Sequence, residues 1–158
     1  SCWHGGTTAR AAEPIAMTYP QLLLLHLVAT VVMAGVLWFV QVVHYPLFAS
    51  VGERGFRAYE ERHANRTTFV VLPPMVAELG LSCWLLLRAP EAAQQLAWAG
   101  AAMVVALWLS TFAVQVPCHA RLSQGFDPQA WRRLVATNWL RTALWSGRAG
   151  IALLLLWS

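Results

Sequence analysis

Long apolar stretches alternate with short polar connections along this chain. The stretches at 21–44, 67–87, 96–116 and 134–157 are each near or above the roughly 20 residues with which a helix crosses a hydrocarbon core. The remaining sequence is too short for a separate soluble domain. The pattern predicts an all-α fold, a polytopic membrane four-helix bundle over residues 17–158. A polar, poorly patterned extension precedes it at residues 1–16, and it lacks the layout of a cleaved signal peptide.

Within the apolar runs, polar residues recur at helical spacing. Asn138, Arg141, Trp145 and Arg148 stand at i, i+3, i+7 and i+10 of the fourth run. The third run carries Trp108, Thr111, Gln115 and His119 on one stripe, and the second carries Thr67, Val71, Pro74, Glu78 and Ser82. Gln41 and His44 lie one turn apart at the end of the first. Polar stripes in a lipid-embedded bundle converge, because only the interior lets them satisfy one another.

Depth decides which of these groups meet. At a rise of ~1.5 Å per residue, Glu78 lies roughly 17 Å and Arg148 roughly 22 Å from the same end of the bundle. A long Arg side chain spans the difference, so a Glu78–Arg148 ion pair is expected. Charges at membrane depth are costly and mark an inward face with a task. That task is either catalysis or the locking of the second helix to the fourth. His26, in the far half of the first helix, reaches Arg148 as a cofactor ligand or as a buried hydrogen-bonding residue.

His44 and His119 occupy the ends of the first and third helices, level with Gln41, Gln115, Asn138 and Arg141. Together they predict a polar, net-positive pocket at one mouth of the bundle. In one reading His44 and His119 share a haem iron or another transition metal, with Arg141 facing a propionate or an anionic substrate. In the other they are interfacial histidines bonded to loops and headgroups. Around the first connection, Phe56, Tyr59 and His63 follow i, i+3, i+7 and predict a short amphipathic helix, with Glu60 and its charged neighbours elsewhere around the turn. Asp127 followed by Pro128 predicts a capped helix start after the third run. Pro73-Pro74 should kink or loosen the second helix.

The two halves of the chain echo each other. Trp38, Gln41, His44, Gly55-Phe56 and Arg66-Thr67 return as Trp108, Gln115, His119, Gly125-Phe126 and Arg141-Thr142. A duplicated helix hairpin is expected, with parallel repeats related by an axis along the membrane normal.

Charge then orients the bundle. Only 11% of the residues are charged, against roughly 25% in soluble domains. Arg54, Arg57, Arg62 and Arg66 crowd the first connection, and Arg121, Arg132 and Arg133 the third, against Arg10 and Arg88 on the opposite side. The positive-inside rule places both Arg-rich connections in the cytoplasm and both termini outside, in a bacterial inner membrane. The net charge of +4 is dispersed, which excludes a nucleic-acid partner. Cys2, Cys83 and Cys118 form no C-x-x-C pair, so neither a disulfide framework nor a zinc site is expected.

The run from His26 through Ala34-Gly35 to Gln41-Val42-Val43-His44-Tyr45-Pro46-Leu47-Phe48 resembles the anthrone-oxygenase-like family of small membrane proteins of unknown function. It is more loosely similar to the compact haem-binding membrane protoporphyrinogen oxidases, a likeness that implies His26 as a haem ligand. The third helix here lacks the basic residues of that second group. The expected function is that of a small membrane oxidoreductase binding a redox cofactor or an apolar ligand. The alternative is a noncatalytic accessory subunit docked on a larger membrane-protein partner.

Overall fold

The computed structural model describes residues 17–157; the expected extension at 1–16 and Cys2 lie outside them. The described residues are all-helical, with four long helices: α1 (Tyr19–Ser50), α2 (Glu53–Arg88), α3 (Glu91–Leu122) and α4 (Pro128–Leu155). Connections are short, so successive helices run antiparallel. α1 packs on α2 and α4, and α3 packs on the same two, which closes an up-down-up-down square.

Local sequence explains the helix ends. At the start of α1 the Thr18 backbone N–H donates to Gln21 Oε1 at 2.9 Å, one half of a capping box. Gly52 joins α1 to α2 with φ +81°, a left-handed conformation natural to glycine. Asp127 caps α4 by accepting from the Gln129 and Ala130 N–H groups at 2.8 and 3.2 Å, with Pro128 opening the helix.

Two π-turns interrupt the odd-numbered helices. One spans Val40–His44 and the other Thr111–Gln115. Each closes with an N–H to the carbonyl five residues back, Tyr45 to Val40 and Val116 to Thr111. In each case the next residue is proline, Pro46 or Pro117. A proline ring collides with the carbonyl four residues earlier, and the wider turn makes room for it. Pro73 and Pro74 act differently. They deprive two carbonyls of α2 of donors, yet the helix runs through them without interruption.

The first connection holds no separate interfacial helix. Its residues form the opening turns of α2, which at 36 residues is about 54 Å long. That exceeds the ~30 Å of a hydrocarbon core, so its first turns extend past the apolar span. The expected helix after Asp127 is likewise continuous with α4.

Three helices, α1 to α3, are long and apolar enough to cross a membrane. The fourth expected span is long, but Asn138, Arg141 and Arg148 lower its hydropathy, and all three are buried. The surface reverses the soluble pattern. Phe69, Leu87, Trp98, Leu109, Phe112 and Leu140 are exposed, while His26, Gln41, Glu60, Glu78, Asn138 and Arg148 are buried.

The interior is layered along the bundle axis. Leu23, Leu85, Ala93, Ala97 and Leu155 fill the end near the α2–α3 connection. A polar layer with Glu78 and Arg148 follows. Next comes an apolar plug of Met33, Leu37, Met75, Leu107 and Trp145. A second polar region, at the Arg-rich mouth, is backed by Tyr45, Phe48, Phe56, Cys118, Leu122 and Leu134.

Candidate functional site

In the deeper polar layer, all four helices meet at one guanidinium. Arg148 of α4 reaches across the square to pair with Glu78 of α2, and it donates to the Gly100 carbonyl of α3. It also donates to Ser82 Oγ at 3.0 Å and meets His26 Nε2 of α1 at 2.9 Å. Arginine only donates, so His26 Nε2 accepts and the ring proton sits on Nδ1. Thr30 Oγ1 donates to Glu78 Oε1 at 2.7 Å. Gly100 makes the approach feasible: a Cβ there would stand 3.3 Å from Arg148 Nη1.

This knot is closed. Glu78 and Arg148 are each 1% exposed, and neither lines the cavities described below. On every helix a plug residue separates the knot from the mouth: Met33 and Leu37 on α1, Met75 on α2, Leu107 on α3 and Trp145 on α4. Glu78 and Arg148 are brought together, as are His26 and Arg148, and all three stand away from the other candidate site residues.

The mouth is built differently. Asn138 Nδ2 donates to Gln41 Oε1 at 2.9 Å, and Arg141 Nη1 donates to Asn138 Oδ1 at 3.2 Å. Gln115 Nε2 donates to Thr137 Oγ1 at 3.0 Å. Beyond them, the imidazoles of His44, His63 and His119 cluster. His44 Nε2 and His63 Nδ1 are 2.8 Å apart, and the His63 and His119 ring centroids are 5.3 Å apart. His119 bonds through Nδ1 to Glu60 Oε1 at 2.6 Å and through Nε2 to the Tyr45 hydroxyl at 3.1 Å.

Glu60, His63 and His119 form a group with metal-ligand chemistry. One ligand atom from each lies within 4.8 Å of the other two. Glu60 is fully buried, its Oε2 has no hydrogen-bond partner, and neither does His63 Nε2. When His63 donates from Nδ1 to His44, its Nε2 carries an unshared lone pair. Two imidazoles and one carboxylate are a set that suits iron(II), zinc or manganese, with positions left open on the ion.

The membership of this cluster differs from the expected His44–His119 pair. His119 takes part, but Glu60 and His63 join it while His44 stands one hydrogen bond behind. Glu60 lies outside the expected inward stripes, and Tyr45 outside the expected site residues. The buried stripe of α2 runs Phe56, Glu60, His63 at i, i+4, i+7. Glu60-x-x-His63 puts a carboxylate and an imidazole on one helix face, and that spacing was the overlooked signal.

A cavity of about 360 Å³ adjoins the cluster. His63, His119, Tyr45, Gln115 and Arg141 line its polar side, and Val36, Leu37, Val40, Val71 and Val116 its apolar side. A second cavity, of about 710 Å³, lies between α1 and α2 beside His44, Tyr59, Arg62 and Arg66. The two share the wall made by Val36, Val40, His63, Thr67 and Val71.

Comparisons with protein-family models, with curated proteins and with solved structures gave no match.

Proposed function

We propose that this is an integral membrane protein whose four helices cross a bacterial inner membrane, and that it is a metal-dependent oxidoreductase acting on a small, largely apolar molecule. The observation that carries the chemistry is the meeting of Glu60, His63 and His119 with two buried ligand atoms unpartnered. A divalent cation satisfies Glu60 Oε2 and His63 Nε2 together. His44, bonded to His63, orients that ligand from behind, the usual second contact of a metal-bound histidine.

An ion without a macrocycle fits better than haem. His63 lies against both His44 and His119, with ring centroids at 4.6 and 5.3 Å, in the interval a porphyrin would need. The knot at Glu78 and Arg148 is then a lock between helices rather than a catalytic pair, because the plug isolates it. Insertion of all four helices is supported by the inside-out surface. On α4, Trp139, Leu140, Leu153 and Leu154 are exposed while its polar residues face inward. The matched π-turns before Pro46 and Pro117 support a duplicated hairpin.

Metal analysis of the protein purified in mild detergent tests the chemistry. One transition-metal ion per chain is expected, lost in Glu60→Gln and His63→Ala with the helices retained. A folded wild-type protein that takes up neither iron(II) nor zinc rejects the reading and leaves the accessory-subunit role. For topology, cysteine labels near Gly55 and Gln124 should react from the cytoplasmic side and one near Ala92 from outside. Labelling of Gly55 and Ala92 from one side would overturn the four-span arrangement.

A further inference from the structure

Arg141 is 6% exposed, and no carboxylate pairs with it among the described residues. Its Nη1 donates to the neutral Asn138, and its Nε has no partner. The contrast with Arg148, which holds Glu78, is direct. A buried guanidinium without a counter-charge is costly. Here it forms part of the wall of the 360 Å³ cavity. Gln115, on the same wall, has a buried Oε1 without a partner. With one carboxylate in the metal-ligand group, a bound divalent ion and Arg141 together leave the site net positive.

We infer that the cavity takes a small monocarboxylate, its acid group on Arg141 and its apolar body against the valines opposite. The metal-ligand group forms the neighbouring wall, so this assignment names the ligand class of the site proposed above and rests on that reading only for what the metal does. A planar guanidinium offers paired donors that match a carboxylate. Val36, Leu37, Val40, Val71 and Val116 supply an apolar lining for the rest. A volume of about 360 Å³ is of the size that takes a small organic molecule. Val36, Val40, His63, Thr67 and Val71 separate this cavity from the larger lateral one between α1 and α2.

The test uses the full chain in detergent, with benzoate as the probe and benzyl alcohol as its neutral counterpart. Binding is read by calorimetry and by the shift of the thermal transition. Benzoate should bind about tenfold more tightly than benzyl alcohol or better, the scale of a charged hydrogen bond. Arg141→Gln should abolish that preference, and Arg141→Lys, which keeps the charge but loses the paired donors, should retain part of it. Equal binding of the two probes to folded wild-type protein overturns the assignment, whether or not any variant folds. A preference for inorganic phosphate over benzoate, or a benzoate preference that survives Arg141→Gln, does so as well. The same titration after chelation separates the two proposals. Arg141-dependent benzoate binding in a protein that, after chelation, takes up neither iron(II) nor zinc keeps the carboxylate site and rejects the metal centre; metal uptake without that preference does the reverse.

Discussion

The knot at Arg148 and the cluster at His63 are both buried, both polar and both assembled from several helices, yet they are finished to different degrees. Arg148 finds a carboxylate, a hydroxyl, an imidazole and a carbonyl, one or more from each other helix. Its leftover atoms, Arg148 Nε and His26 Nδ1, are donors, and neither residue lines either of the two cavities at the mouth. At the mouth the leftover atoms include a carboxylate oxygen of Glu60 and an imidazole nitrogen of His63, two residues of one metal-ligand group, and His63 lines open volume. A polar group closed on itself specifies packing. One left open beside a cavity specifies a ligand.

The largest effect should come from cutting the knot. Glu78→Gln strands Arg148 in a dry interior and should cost about 3–5 kcal/mol, as one-sided removal of a buried pair does. Arg148→Leu should cost less, because the carboxylate it leaves can take up a proton. Thermal unfolding of both and of the double variant measures the coupling, and the double should recover part of the loss. Simple additivity would mean that the two side chains do not hold each other. Metal content should be unaffected in whichever of these variants folds, and a loss there would erase the distinction between the regions.

At the mouth the order reverses. Glu60→Gln and His63→Ala should remove metal while shifting the unfolding temperature of the metal-free protein little. His44→Ala, behind the ligand, should weaken metal affinity by about 10–100-fold without abolishing it. Titration of chelator-stripped protein distinguishes these cases. Equal, complete loss in His44→Ala would promote it from an orienting residue to a ligand.

Three smaller changes sharpen the contrast through the backbone. Gly100→Ala places a Cβ 3.3 Å from Arg148 Nη1, a group that cannot retreat without loosening Glu78. A net loss of about 1 kcal/mol is expected, overpacking exceeding the gain in helix propensity. Gly147→Ala meets only the mobile end of Met103 and should be milder. Asp127→Ala removes the cap of α4, far from the knot, at a cost of about 1 kcal/mol. Ranking all three by thermal melts checks that the sensitive backbone lies at the knot.

Hydrophobic periodicity along the chain determined the four helices, their order and their inward faces, since burial follows spacing within one helix. It also determined the layer that joins Glu78 to Arg148, because depth along parallel cylinders can be counted in residues. Asn138, Arg141 and Gln41 were legible at one level for the same reason. The rotation of the opening turns of α2, outside the apolar run, was not. Glu60 and Glu61 differ by about 100° on the helix, and only packing against α3 decides that Glu60 meets His119. The π-turns before Pro46 and Pro117 rotate everything beyond them, carrying Tyr45 and His119 into contact. Whether a buried group ends satisfied or open is a property of all its neighbours at once. The tertiary structure therefore decided that Arg148 is enclosed by partners from the three other helices and that Arg141 faces a cavity.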